Sequence, residues 1–112
     1  MLQALTTIES LLRAYGHTYE ANLAGIAAKL YRADPAAACQ SINSDEWWES
    51  SASVAAIDLA VSGGFTPQSR VDAQRLRQSL IEVFTTLLAY GEHNDAGEII
   101  VSQFQKWTES HM

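Results

Sequence analysis

Apolar residues recur at steps of three and four along almost the whole chain, with polar residues between them. Leu2, Leu5, Ile8, Leu11, Leu12 and Tyr15 form one such stripe, the signature of a helix with one buried face. Gly16 is a natural stop for it. Tyr19, Leu23, Ile26, Ala27 and Leu30 repeat the pattern on a second helix, which Asp34-Pro35 closes. Asp34 then suits the cap, and Pro35 the first turn, of a short third helix through Ala38 and Ile42. Asn43-Ser44-Asp45 reads as a loop or as the cap of a further turn.

A fourth helix is expected from Ser51 or Ser53 to Val61, burying Val54, Ile57 and Val61, with Leu59 widening the stripe. Gly63-Gly64 ends it, since glycine tolerates the left-handed conformation of a C-terminal cap. Thr66-Pro67 matches the cap and first turn of the longest helix, and Ser69-Arg70-Val71-Asp72 offers an alternative start as a capping box. Ala73, Leu76, Leu80, Val83, Phe84, Leu87 and Leu88 carry that helix to Tyr90-Gly91. The last helix begins near Asn94 or Asp95 and uses Ile99, Ile100, Phe104 and Trp107. No strand-like alternation, repeat or linker competes. The expected fold is a single all-α domain over residues 1–112, a compact bundle of five or six helices.

Charge narrows the function classes. The chain carries a formal net charge of −6 over 112 residues, with a pI near 4.8. Nucleic-acid binding calls for a basic footprint, and docking to anionic lipid for a cationic face, so both are disfavoured. The lone cysteine, Cys39, forms no internal disulfide and sits among Ala36, Ala37 and Ala38, as a small buried hydrophobe would. Residues 1–15 have neither the basic start of a signal peptide nor the apolar length of a membrane span. A reducing cytoplasm is the expected setting.

One segment stands apart. Asp45-Glu46-Trp47-Trp48-Glu49 lies within a stretch free of Lys and Arg from Ala33 to Ser69. Paired aromatics in an acidic window suit docking to a basic partner, because tryptophan dominates interface energetics and acidic flanks steer a cationic surface. As neighbours, the two indoles are expected to point apart, one into the core and one accessible. Asp45, Glu46, Trp47, Trp48 and Glu49 are therefore candidate partner-binding residues. Asp58 joins them, because Ser51, Ala55, Asp58 and Ser62 would share a small or polar helical stripe. Arg70, Arg75 and Arg77 form the counterpoint on the long helix, with Asp72 and Arg75 spaced for an i,i+3 pair.

Candidate chemistry adds little. His17 and Glu20 have metal-ligand spacing but form a solitary pair, whereas a dimetal bundle needs such pairs repeated on separate helices. Arg13 and His17 are too close for the Arg–His signature of HEPN-type ribonucleases. Glu46-x-x-Glu49 and Glu92-x-x-Asp95 resemble the paired carboxylates of MazG-type all-α nucleotide pyrophosphohydrolases, which hold magnesium on facing helices. Here the pairs are far apart in sequence and no cationic cluster lies beside either. Phosphate loops and nucleophile elbows do not occur, and no cofactor or metal is expected.

The run from Trp48 through Ser51, Ser53 and Val54 to Asp58-Leu59, then Gly63-Gly64 and the Leu-rich helix to Tyr90, resembles a family of small bacterial helical proteins. That family is regarded as immunity proteins of polymorphic or secreted toxin systems. The resemblance implies neutralisation of a toxin domain and supplies no binding residues. Physical reading converges on the same partner, a basic toxin domain such as a nuclease. Two alternatives remain: a metal-dependent hydrolase using Glu46, Glu49, Glu92 and Asp95, and a homo-oligomeric adaptor joined through Phe104 and Trp107.

Overall fold

The computed structural model describes residues 1–49, 53–57, 59, 64 and 66–110. Within them the fold is all-α: α1 (Leu2–Ala14), α2 (Thr18–Ala33), α3 (Pro35–Ile42), the single turn α4 (Asp45–Trp48), a 3-10 turn (Val54–Ala56), α5 (Pro67–Ala89) and α6 (Asp95–Ser110). α1 lies at the centre, packed against α2 on one side and α5 on the other, while α3 continues from α2 and α6 folds back on α5.

Local chemistry sets the boundaries. Gly16 takes φ +84°, and its amide donates to Arg13 O while that of His17 donates to Leu12 O at 2.8 Å. This paired closure is a Schellman motif, and it needs a residue without a Cβ penalty in the left-handed region. Gly91, at φ +79°, repeats the device after α5, with Glu92 N donating to Leu87 O at 2.9 Å. Asp34 accepts from Ala37 N, so one residue both ends α2 and caps α3. At the head of α5, Thr66 and Ser69 form a reciprocal capping box, which makes Ser69 its third residue and not an alternative start.

Two expectations fail. Of the helix foreseen from Ser51 or Ser53 to Val61, the described part is a 3-10 turn over Val54–Ala56, and Ile57 already has extended backbone. Ser53, Val54, Ala55 and Leu59 are all buried, which a helical stripe could not achieve. Val61, Asp58 and Gly63 lie outside the described residues. On α2, the buried face is Ala21, Ala24, Ala27 and Ala28, while Tyr19 and Ile26 of the predicted stripe face solvent. Alanine wins that face because small residues allow α2 to pack closely on α1, whose Leu5, Ile8 and Leu12 belong to the same buried core.

Candidate functional site

Both tryptophans of the acidic segment are buried, Trp47 at 2% exposure and Trp48 at 0%, which corrects the expectation that one would be accessible. The physical reason is angular. Successive residues on a helix are offset by about 100°, so two neighbours fit within one half of a turn. In α4 that half is sunk into the core, and Asp45, Glu46 and Glu49 occupy the other half, all exposed.

The indole half is firmly held. Trp48 Nε1 donates to Ile42 O at 3.0 Å, closing a carbonyl at the C-terminus of α3. Its ring meets Phe84 edge-on, with centroids 5.5 Å apart, and stands 6.3 Å from that of Trp47. Gly97 of α6 lies against this pair: a Cβ there would fall 2.8 Å from Phe84 Cε1 and 3.1 Å from Trp48. Just upstream, Asn43 donates from Nδ2 to Glu92 Oε1 and to His93 O, both at 3.1 Å. Asn94 Nδ2 donates in return to Asn43 Oδ1 at 2.9 Å, and Asn94 Oδ1 accepts from Gly97 N at 2.8 Å. The acidic turn is thus fastened to α5 and α6 through Trp48 on its inner face, and to the connection between them through Asn43 just upstream.

The carboxylate half faces water. Glu46 accepts from the Tyr19 hydroxyl of α2. That bond, then the Glu46 charge, then burial and the Glu20 charge push the Tyr19 phenol above its ordinary range. Asp45 and Glu49 stand one helical turn apart and share a hydrogen bond, which, with the Asp45 charge, raises the Glu49 carboxyl above the usual glutamate range. The ion pairs among the described residues lie elsewhere, joining Glu9 to Arg13, Asp72 to Arg75 and the N-terminus to Glu82. The turn therefore presents a pre-set negative face.

The other candidates separate. Of the four carboxylates of the hydrolase reading, Glu92 accepts from Asn43 and Glu46 from Tyr19, while Glu49 lies against Asp45. Among the described residues no three His, Cys, Asp or Glu side chains are placed to hold a metal ion. Phe104, assigned in the adaptor alternative to self-association, is buried against the core, and the side chain of Trp107 lies outside the described residues. Cys39 is fully buried, and burial, then the charge of Glu92, pushes its thiol up. No described helix is long and apolar enough to cross a membrane.

Tyr19 escaped the sequence reading, which assigned it to the core. Asp72, read from the sequence only as an i,i+3 partner of Arg75, is buried at the α1–α5 contact, where its Oδ2 accepts from the Tyr15 hydroxyl at 2.7 Å and its Oδ1 from Gln68 Nε2 at 3.1 Å. Arg75, its expected partner, is more distant at 3.5 Å. A tyrosine closing one helical stripe, opposite an aspartate on another, is a signal visible only once the helices are paired. Comparison with protein-family models, with curated proteins and with solved structures finds no match for this chain.

Proposed function

We propose that this protein is an immunity protein, which binds a cationic antibacterial toxin domain, such as a nuclease, and neutralises it in the cytoplasm of the cell that makes it. One observation carries the reading: α4 turns Asp45, Glu46 and Glu49 outward while Trp47 and Trp48 lock its inner half in the core. A negative surface held rigidly in advance loses little freedom on binding and speeds encounter with a positive one. The overall charge of −6 acts in the same sense, as does the resemblance carried by the segment from Trp48 to Leu59 and the helix after it.

In this reading the tryptophans are the foundation of the binding turn and not its contact residues. Neutralisation follows if the turn covers the cationic groups with which the toxin holds its own anionic substrate. Affinity capture from native cells, beside the Glu46→Lys/Glu49→Lys double variant, tests it. A basic toxin domain retained by the wild type, lost by the folded variant, and inhibited by the former alone is the expected result. Equal retention by both proteins, or a retained domain whose activity is unaffected, would overturn it.

A further inference from the structure

The outer face of α2 is apolar and uncovered. Tyr19 is 63% exposed and Ile26 60%, and the half-buried Leu23 and Leu30 fall on the same stripe. Residues 19, 23, 26 and 30 follow helical spacing, so the stripe runs about 16 Å along the surface. It exists because α2 spends its small residues on the contact with α1 and turns its large ones outward.

This stripe joins the acidic turn. The Tyr19 hydroxyl donates to Glu46, so its ring ends where the carboxylates begin. Apolar centre and charged margin are thereby contiguous, the usual anatomy of a protein interface, and tyrosine is among the residues that carry most binding energy.

We infer that the outer face of α2, anchored by Tyr19 and Ile26, is the apolar half of the docking surface, and that its occupant is the cationic toxin domain that meets the acidic turn. This rests on the immunity reading above. Charge complementarity selects that occupant. Glu20, Asp45, Glu46 and Glu49 gather at the Tyr19 end of the stripe, against Lys29 and Arg32 toward the other end, leaving a negative surplus. A second copy of a chain bearing −6 would bring that surplus against its own net repulsion.

The test places the photo-crosslinker p-benzoylphenylalanine at position 26, 46 or 71 of the full chain in its native cells. Position 71 is the control, since Val71 is exposed in the groove between α1 and α5, across α1 from α2. Crosslinks from 26 and 46 to the same domain, with a pI above about 9, and none from 71, are expected. With that domain purified, Ile26→Asp should raise the dissociation rate by about 30-fold or more, the scale of a hot-spot residue. Glu46→Gln should mainly lower the association rate, and Val71→Asp should change neither. Ile26→Ala, a smaller change at an exposed site, repeats the measurement if the aspartate variant fails to fold.

A basic domain crosslinked from 46 alone, and bound equally by the Ile26 variants, would overturn the α2 surface while sparing the immunity reading. Crosslinks from 26 to a second copy, or to a protein without a cationic face, would overturn the assigned occupant. No crosslink from 26 or 46, together with no basic domain captured by the unsubstituted chain, would overturn both readings.

Discussion

The Trp48 indole nitrogen donates to the Ile42 carbonyl at 3.0 Å, and this bond ties the acidic turn to the end of the helix before it. Removing the donor leaves the Ile42 carbonyl with the Ser44 amide alone, 2.9 Å away, so one hydrogen bond worth about 0.5–1.5 kcal/mol is lost. Trp48→Phe should therefore lower stability by that amount in urea unfolding. Trp48→Ala, which also empties the space against Phe84, should cost about 3–5 kcal/mol.

Two glycines on helices should respond oppositely to alanine. At Gly97 the new methyl meets the rings of Phe84 and Trp48, which are packed and have no free direction to move. Overpacking of that kind costs about 1–3 kcal/mol, more than the roughly 1 kcal/mol gained in helix propensity, so Gly97→Ala should destabilise. At Gly25 the obstacle is the Glu9 carboxylate, 2.7 Å from the added Cβ, at the end of a flexible side chain. Moving it disturbs a surface pair with Arg13 worth about 0.2–1 kcal/mol. Gly25→Ala should be neutral or slightly stabilising in the same assay.

Asp72 should prove more important than its sequence position suggests. Its carboxylate binds Tyr15 of α1 and Gln68 of its own helix, so Asp72→Ala removes a cross-link between two helices. A loss of about 1–3 kcal/mol is expected. Hydrogen bonding to Asp72, then burial and the Asp72 charge, raise the Tyr15 phenol. A folded-state value above the unfolded one means that the native state holds the proton longer. Stability should then fall as pH rises past the ordinary tyrosine range, and Tyr15→Phe should make that alkaline slope shallower, leaving the share of Tyr19, Tyr31 and Cys39, which are raised as well.

Glu49 predicts a second slope, at acid pH. Its carboxyl is raised by the hydrogen bond and charge of Asp45, so between the ordinary glutamate value and the raised one the native state binds more protons than the unfolded chain. Stability should decline as pH rises through that window. Glu49→Gln keeps a hydrogen-bonding group, removes the titration, and should flatten this part of the melting-temperature profile.

The helices were legible because their signals are local. The stripe from Leu2 to Leu12, the stop at Gly16, the Asp34-Pro35 junction and the Thr66 cap each depend on residues a few positions apart. The acidic character of the segment from Asp45 to Glu49 was equally plain, since charge needs no neighbour to be read. That α4 would be one turn, with both indoles inward, was not. Its geometry is set by Ile42 O, Phe84 and Gly97, which come from three other helices.

On α2 the sequence by itself determined the element, and the tertiary structure decided its orientation. Periodicity measures which residues share a face, and α2 carries two candidate faces, one of large apolar residues and one of alanines. Burying Tyr19 and Ile26 would maximise apolar area for that helix alone. The packed molecule instead buries Ala21, Ala24, Ala27 and Ala28, because small residues let α2 lie close against α1, whose Leu5, Ile8 and Leu12 share the same core. Periodicity thus tells what each helix could bury, whereas close packing, a property of the whole molecule, selects what it does bury and what it leaves on the surface.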